Sequence, residues 1–302
     1  MVPIYNRNKV VVAGGDSSGS RLDELNKPTA LALDSKSNLY VVDYNNFRVM
    51  KYTPNSKRGE RVLGHGTDRY PRAAYIAGLF IDKDDILYTC QHRDPVGRGL
   101  SEIIRWPPSS KNGTVIFNES VLVVAVTVDR DGNLYVLIPI ALSVYYAPTY
   151  KDKAYKTAMM GSIHQMPVGS SYAYVDANKY FYFLQMESKS ILKTTIDSSF
   201  EETVLDKTPT IVALVVDCHN NLYTITSNAS LIIYNSDGDV ISTMHNAIDN
   251  PTDLDSWPTT IRGQQPIKLL DYFASLVLDS KTGDLYVAMR GYDRVTKFSL
   301  NK

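Results

Sequence analysis

Two cysteines in 302 residues, Cys90 and Cys218, are too few for a disulfide framework. Long apolar runs are missing too. The longest mainly apolar stretch, 135–146, is about 12 residues and carries a proline and a serine, short of the roughly 20 that a membrane-spanning helix needs. Neither sign of charge dominates: Lys plus Arg and Asp plus Glu are 32 each, so no global field steers the chain to nucleic acid, an anionic membrane or an acidic substrate. No charged n-region followed by an apolar h-region precedes the first strand-like segment, as expected of a cytosolic start or a trimmed mature chain. The motifs G-x-S-x-G, H-E-x-x-H and Cys-x-x-Cys do not occur, which removes the common nucleophile and zinc signatures. No stretch has a convincing helical period.

What is present is a repeat. "ALALDSKSNLYVVD" (30–43) aligns with "AGLFIDKDDILYTCQ" (77–91), "VAVTVDRDGNLYVL" (124–137), "SYAYVDANKYFYFL" (171–184), "ALVVDCHNNLYTIT" (213–226) and "SLVLDSKTGDLYVA" (275–288). The aspartates Asp34, Asp82, Asp129, Asp176, Asp217 and Asp279 are spaced 48, 47, 47, 41 and 62 residues apart, an array with a late insertion at 243–271. Each copy is an apolar run, a polar turn and an alternating Leu-Tyr-Val run, the signature of a β-hairpin. A third apolar segment follows in most copies, such as "RVMKY" (48–52) and "RVTKF" (294–298). The pattern predicts an all-β chain: one six-bladed β-propeller of four-stranded antiparallel blades with no domain boundary in 1–302. Because the last unit ends without a fourth strand, the orphan strand at 9–13, "KVVVA", is expected to close the ring as the outer strand of the last blade.

The stretch "LNKPTALALDSKSNLYVVDYNNFRVMKY" resembles an NHL repeat: a proline before the first strand, the Asp-bounded hairpin, then D-x-x-N-x-R-V. "YVVDYNNFRVMKY" (40–52) and "YVAMRGYDRVTKF" (286–298) follow the pattern best. The resemblance implies the propeller fold and leaves activity open, since NHL propellers include RNA binders, protein-binding modules and a lyase domain.

The repeated aspartates, spread round a ring, read as turn formers that accept backbone N–H groups rather than as metal ligands. "AGGDSSGS" (13–20) imitates a phosphate loop, but no helix follows to supply a dipole, so it reads as a strand exit. Asp43 with Arg48, and Asp293 with Arg294, read first as charged corners tying their own loops. These corners sit on the face where propellers present ligands, which makes Arg48, His92, Arg93, Arg290 and Arg294 candidates for a polar surface round the channel mouth. The segments 245–270 and 150–167 add His164, Trp257 and Arg262 as rim residues. The five histidines do not converge as zinc ligands would. Cys90 and Cys218 are expected to be two unpaired thiols half a ring apart.

The leading expectation is a non-catalytic recognition or assembly module that binds a protein or glycan through one face and its loops. The alternative is a metal-assisted lyase or hydrolase with its site at the channel mouth, where calcium is the cofactor to look for. Zero net charge argues against single-stranded RNA. Three N-x-S/T sequons, at Asn112, Asn118 and Asn228, lean toward a secreted glycoprotein.

Overall fold

The computed structural model describes residues 5, 9–15, 17–64, 75–92, 101–110, 112–119, 123, 125–128, 133–138, 141–146, 155–159, 173–176, 178, 180–185, 189–195, 201–209, 211–226, 230–245 and 273–300. These form six four-stranded antiparallel sheets. The first five span 28–64, 75–119, 125–159, 173–205 and 211–244, each a meander of strands in chain order. The sixth takes three strands from 273–298 and its outer strand from the other end of the chain.

The innermost strands, Pro28–Leu33, Tyr75–Ile81, Ala125–Val128, Ala173–Val175, Ile211–Val216 and Phe273–Leu278, lie side by side in succession, with the sixth returning to the first. The chain is thus an all-β propeller of four-stranded blades around a central channel. The last sheet is completed by its outer strand, Val10–Gly14, which pairs antiparallel with Arg294–Phe298 (Val10 opposite Lys297, Gly14 opposite Arg294). Tyr5 extends the closure: it bridges to Leu300, donates its hydroxyl to the Gly283 carbonyl at 2.8 Å and stands edge-on to Tyr223 with ring centroids 6.2 Å apart.

Burial explains why the repeat is needed. Middle strands such as Leu222–Thr226, Leu285–Met289 and Ser101–Trp106 are buried at every position, because a neighbouring sheet covers each face. Outer strands such as Val240–Met244 keep exposed positions. Each apolar cluster is shared between adjoining sheets: Val42 and Val49 of the first pack with Ile104 and Trp106 of the second, and Val41 and Met50 with Ala288 and Val295 of the sixth. A sheet alone could not bury both faces, so the blades stabilise one another.

In every sheet the register shifts between the third and outer strands, for example between Val49 and Met50, Ile103 and Ile104, and Ile191 and Leu192. Such bulges increase local twist, which a propeller blade requires. The apolar stretch 135–146 breaks into the adjacent strands Asn133–Ile138 and Ala141–Tyr146. Among the described residues the non-strand regular structure is two single 3-10 turns, Tyr44–Asn46 and Arg290–Tyr292, and no helix is long and apolar enough to cross a membrane.

Candidate functional site

Antiparallel meanders give the propeller two ends. One carries the corners between second and third strands, including both 3-10 turns. The other carries the hairpin turns that begin at the repeated aspartates.

At the corner end, Arg48 is a structural residue. Its Nε lies 2.6 Å from Asp43 Oδ2, Nη1 donates to the Ser20 carbonyl at 2.6 Å, and Nη2 donates to the carbonyls of Arg21 and Glu24 at 2.8 and 2.9 Å. Asp43, fully buried, also accepts the Asn26 N–H at 2.6 Å and the Asn46 side-chain amide at 2.8 Å. Burial pushes the Asp43 carboxyl up, against the pull of Asn46, the Asn26 N–H and Arg48. The D-x-x-N-x-R pattern is therefore a latch that fastens the connector 19–26. Arg48 leaves the candidate binding surface, since its donors point into the protein.

The last sheet repeats the corner with different partners. Met289 stands in the place of Asp43, and Asp293, left-handed at φ 52 like Phe47, accepts the Lys27 N–H at 2.7 Å. Arg290 lies 5.6 Å from the Tyr44 ring centroid, joining the last corner to the first, and Arg294 lies 5.2 Å from that of Tyr292. Opposite these two corners, the first and the last, a glycine ends the outer strand. Gly64 has φ +113, and a Cβ there would sit 2.3 Å from the Phe47 carbonyl; at Gly14 it would sit 2.2 Å from that of Asp293. His92 is described only by its backbone, at the end of Leu87–His92. Arg93, His164, Trp257 and Arg262 lie outside the described residues, as do residues 246–271 of the insertion at 243–271.

At the hairpin end the repeated aspartates form one device. Oδ1 accepts two backbone N–H groups, from Lys36 and Asn38 for Asp34, Asp84 and Ile86 for Asp82, Asn178 and Tyr180 for Asp176, and His219 and Asn221 for Asp217, all at 2.8 to 2.9 Å. Oδ2 accepts the hydroxyl of the tyrosine six residues on: Tyr40, Tyr88, Tyr182 and Tyr223, at 3.0 to 3.4 Å. This explains the Asp…Leu-Tyr repeat as turn chemistry. Burial would push the Asp34 carboxyl up, but the Asn38 side chain, the N–H groups of Asn38 and Lys36, and Lys51 outweigh it and hold it below the usual carboxylate value.

The turns at Asp34, Asp82 and Asp279 border a half-open cavity of about 410 Å³ at this end of the channel. Its walls are mixed polar and apolar, with Leu31, Leu79, Leu214 and Leu276 from four inner strands, and its rim carries Asp34, Asp82, Asp279, Lys83 and Lys281. The turns are tied to one another: Lys281 Nζ donates to the Ser35 carbonyl, and Ser35 donates its N–H and hydroxyl to Asp85 at 2.6 and 2.7 Å. Inside, the Leu31 N–H donates to Ser275 Oγ at 3.2 Å. Tyr174 also lines the cavity. Its phenol is pushed up to about 12, first by burial and then by Asp176, Asp217 and Cys218. Among the described residues no three His, Cys, Asp or Glu side chains group closely enough to hold a metal ion.

The cavity was not legible in the repeat, because its walls come from inner strands distant in the chain. The one clue is the Asp-plus-polar turn, which recurs at a single end. Both cysteines are unpaired. Cys90 is buried, its thiol pushed up to about 12 by burial, and Cys218 is exposed with its sulfur 3.4 Å from His219 Nδ1.

The fold places the chain among the β-propellers. It is similar to a gluconolactonase from Xanthomonas campestris (13% identity, 93% of this chain and 88% of that one, TM-score 0.61). It is also similar to virginiamycin B lyase from Staphylococcus aureus (12%, 97% and 99%, TM-score 0.58). A Bacteroides thetaiotaomicron protein of unknown function compares at 15% identity, 97% and 76% coverage and TM-score 0.65. The chain matches no protein-family model and no curated protein sequence. At these identities the likeness is one of fold.

Proposed function

We propose that the protein is an enzyme of the lyase or hydrolase class that takes a small organic substrate into its central channel. The observation that carries this reading is the half-open cavity of about 410 Å³, bordered by inner strands of several blades and by titratable side chains. Support of a second kind comes from the likeness to a gluconolactonase and a streptogramin lyase. The reading includes a ring of six blades of NHL type, supported by the six sheets and the D-x-x-N-x-R latch at Asp43, Asn46 and Arg48.

In this scheme Tyr174 is the polar group of the wall. Like any phenol it is protonated at neutral pH, and it donates a hydrogen bond to the substrate oxygen on which charge develops. The described donors alone do not make a calcium site.

The test is a turnover screen with gluconolactone, virginiamycin B and quinupristin. Saturable turnover that Leu79→Trp abolishes by filling the cavity, and that Tyr174→Phe lowers in kcat with KM retained, supports the proposal. Turnover indifferent to Leu79→Trp places the chemistry elsewhere and sinks it. Recognition of a protein or glycan without catalysis is the competing reading, favoured by the exposed sequon residues Asn112 and Asn118, which also suit a secreted glycoprotein. It predicts capture of a partner by a protein whose cavity has been filled.

A further inference from the structure

One hairpin turn differs from its four described sisters. "DSKTGDLY" (279–286) has one residue more than "DSKSNLY" (34–40), so Tyr286 falls seven residues after its aspartate instead of six. The closing backbone bond moves with it: Gly283 N–H donates to the Asp279 carbonyl four residues back, where Ser37 donates to Asp34 three back. Asp279 Oδ1 still accepts the N–H groups of Lys281 and Thr282, at 2.9 and 3.4 Å. Oδ2, which takes a tyrosine hydroxyl in the other four turns, has no donor among the described residues. Lys297, the counterpart of the Lys51 that faces Asp34, pairs instead with Asp284 at 2.9 Å. Asp279 is 4% exposed and lines the cavity.

A buried carboxylate oxygen without a donor is costly, so this turn gives up stability that its sisters keep. We infer that Asp279 is the anchor for a ligand carrying a primary ammonium on an apolar body, bound in the hairpin-end cavity. The oxygen needs a donor, and a charged donor makes the stronger bond. The described carboxylates do not converge as metal ligands, which points to an organic cation. The walls at Leu31, Leu79, Leu214 and Leu276 fit its apolar part. Of the rim lysines, Lys281 donates to the Ser35 carbonyl, and Lys83 forms a solvent-exposed pair with Asp84 at 2.6 Å. Because Oδ2 is closed to the cavity as well as to bulk water, contact requires the carboxyl to turn about its Cβ–Cγ bond, which also draws Oδ1 away from the Thr282 N–H that donates to it at 3.4 Å.

The inference rests on the cavity being the site proposed above, but its test reads binding and needs no turnover. Hexylammonium, hexanol and hexanoate are titrated into the full chain by calorimetry. The expected result is that hexylammonium binds at least about tenfold more tightly than the other two. Asp279→Asn, which keeps the Oδ1 acceptor, removes that preference. Deleting Thr282, which returns Tyr286 to the sixth place after Asp279, removes it as well. No binding of hexylammonium, equal binding of hexanol, or an unchanged preference in Asp279→Asn overturns the inference. The comparison of the three probes on the unaltered protein decides even if both variants misfold. Turnover in the substrate screen without ammonium binding would leave the enzyme reading standing and this one refuted.

Discussion

Arg48 shows how a charged residue in a repeat earns its place without touching a ligand. Four hydrogen bonds and 7% exposure make it the centre of a buried ion pair. Arg48→Ala should cost about 3–5 kcal/mol in denaturant unfolding, because it strands the buried Asp43 carboxylate. The double change Asp43→Asn with Arg48→Met should cost clearly less; equal losses would show that the charge pairing is not the cause. Asp34 supplies a pH test. Its folded carboxyl is held below the usual value, so its stabilisation is complete above the unfolded value near ~4 and is lost as pH falls through the lower folded value. The melting temperature should therefore drop on acidification below about pH 4, and drop less in Asp34→Asn. The thiols differ in access: a colorimetric thiol reagent should titrate Cys218 alone in the native protein and both cysteines after denaturation, whereas two fast native thiols would contradict the burial of Cys90.

Among the elements, the hairpin turn is the unit that the sequence writes most plainly. The Asp-to-Tyr spacing of six, visible in the repeat, corresponds to two backbone bonds and one phenol bond in each of four turns. The corner was legible at Asp43, Asn46 and Arg48 and illegible in the last unit, where Met289 replaces the aspartate and the connection passes to Asp293 and Lys27. Gly14 and Gly64 were silent in the sequence. Their need arises only because the outer strand ends against the backbone of the corner in its own sheet. Candidate site residues chosen at the corners met the same difficulty: side-chain chemistry in a list does not say whether a guanidinium points at solvent or at three carbonyls.

For the whole molecule, closure is the decisive contact. The strand Val10–Gly14 and the Tyr5 wedge join the first residues to the last sheet, and Tyr5, 5% exposed, belongs to the apolar cluster shared by the fifth and sixth sheets. Deleting residues 1–15 should lower the melting temperature sharply, since it bares the edge of Arg294–Phe298 and opens that cluster. An unchanged melt would refute the closure. Tyr5→Phe isolates a smaller part: it removes the bond to the Gly283 carbonyl, with an expected loss of about 1 kcal/mol.

By itself the sequence determined the all-β class, the hairpins, the spacing of the units and the joining of the first strand to the last, because these follow from local turn chemistry, a period of two and an unfilled place at the array's end. Tertiary structure alone decided that Arg48 turns inward, that inner strands hundreds of residues apart border one cavity, and that one lengthened turn leaves Asp279 without its tyrosine. Those are relations between side chains of different blades, set by how the ring closes, and no local pattern encodes them.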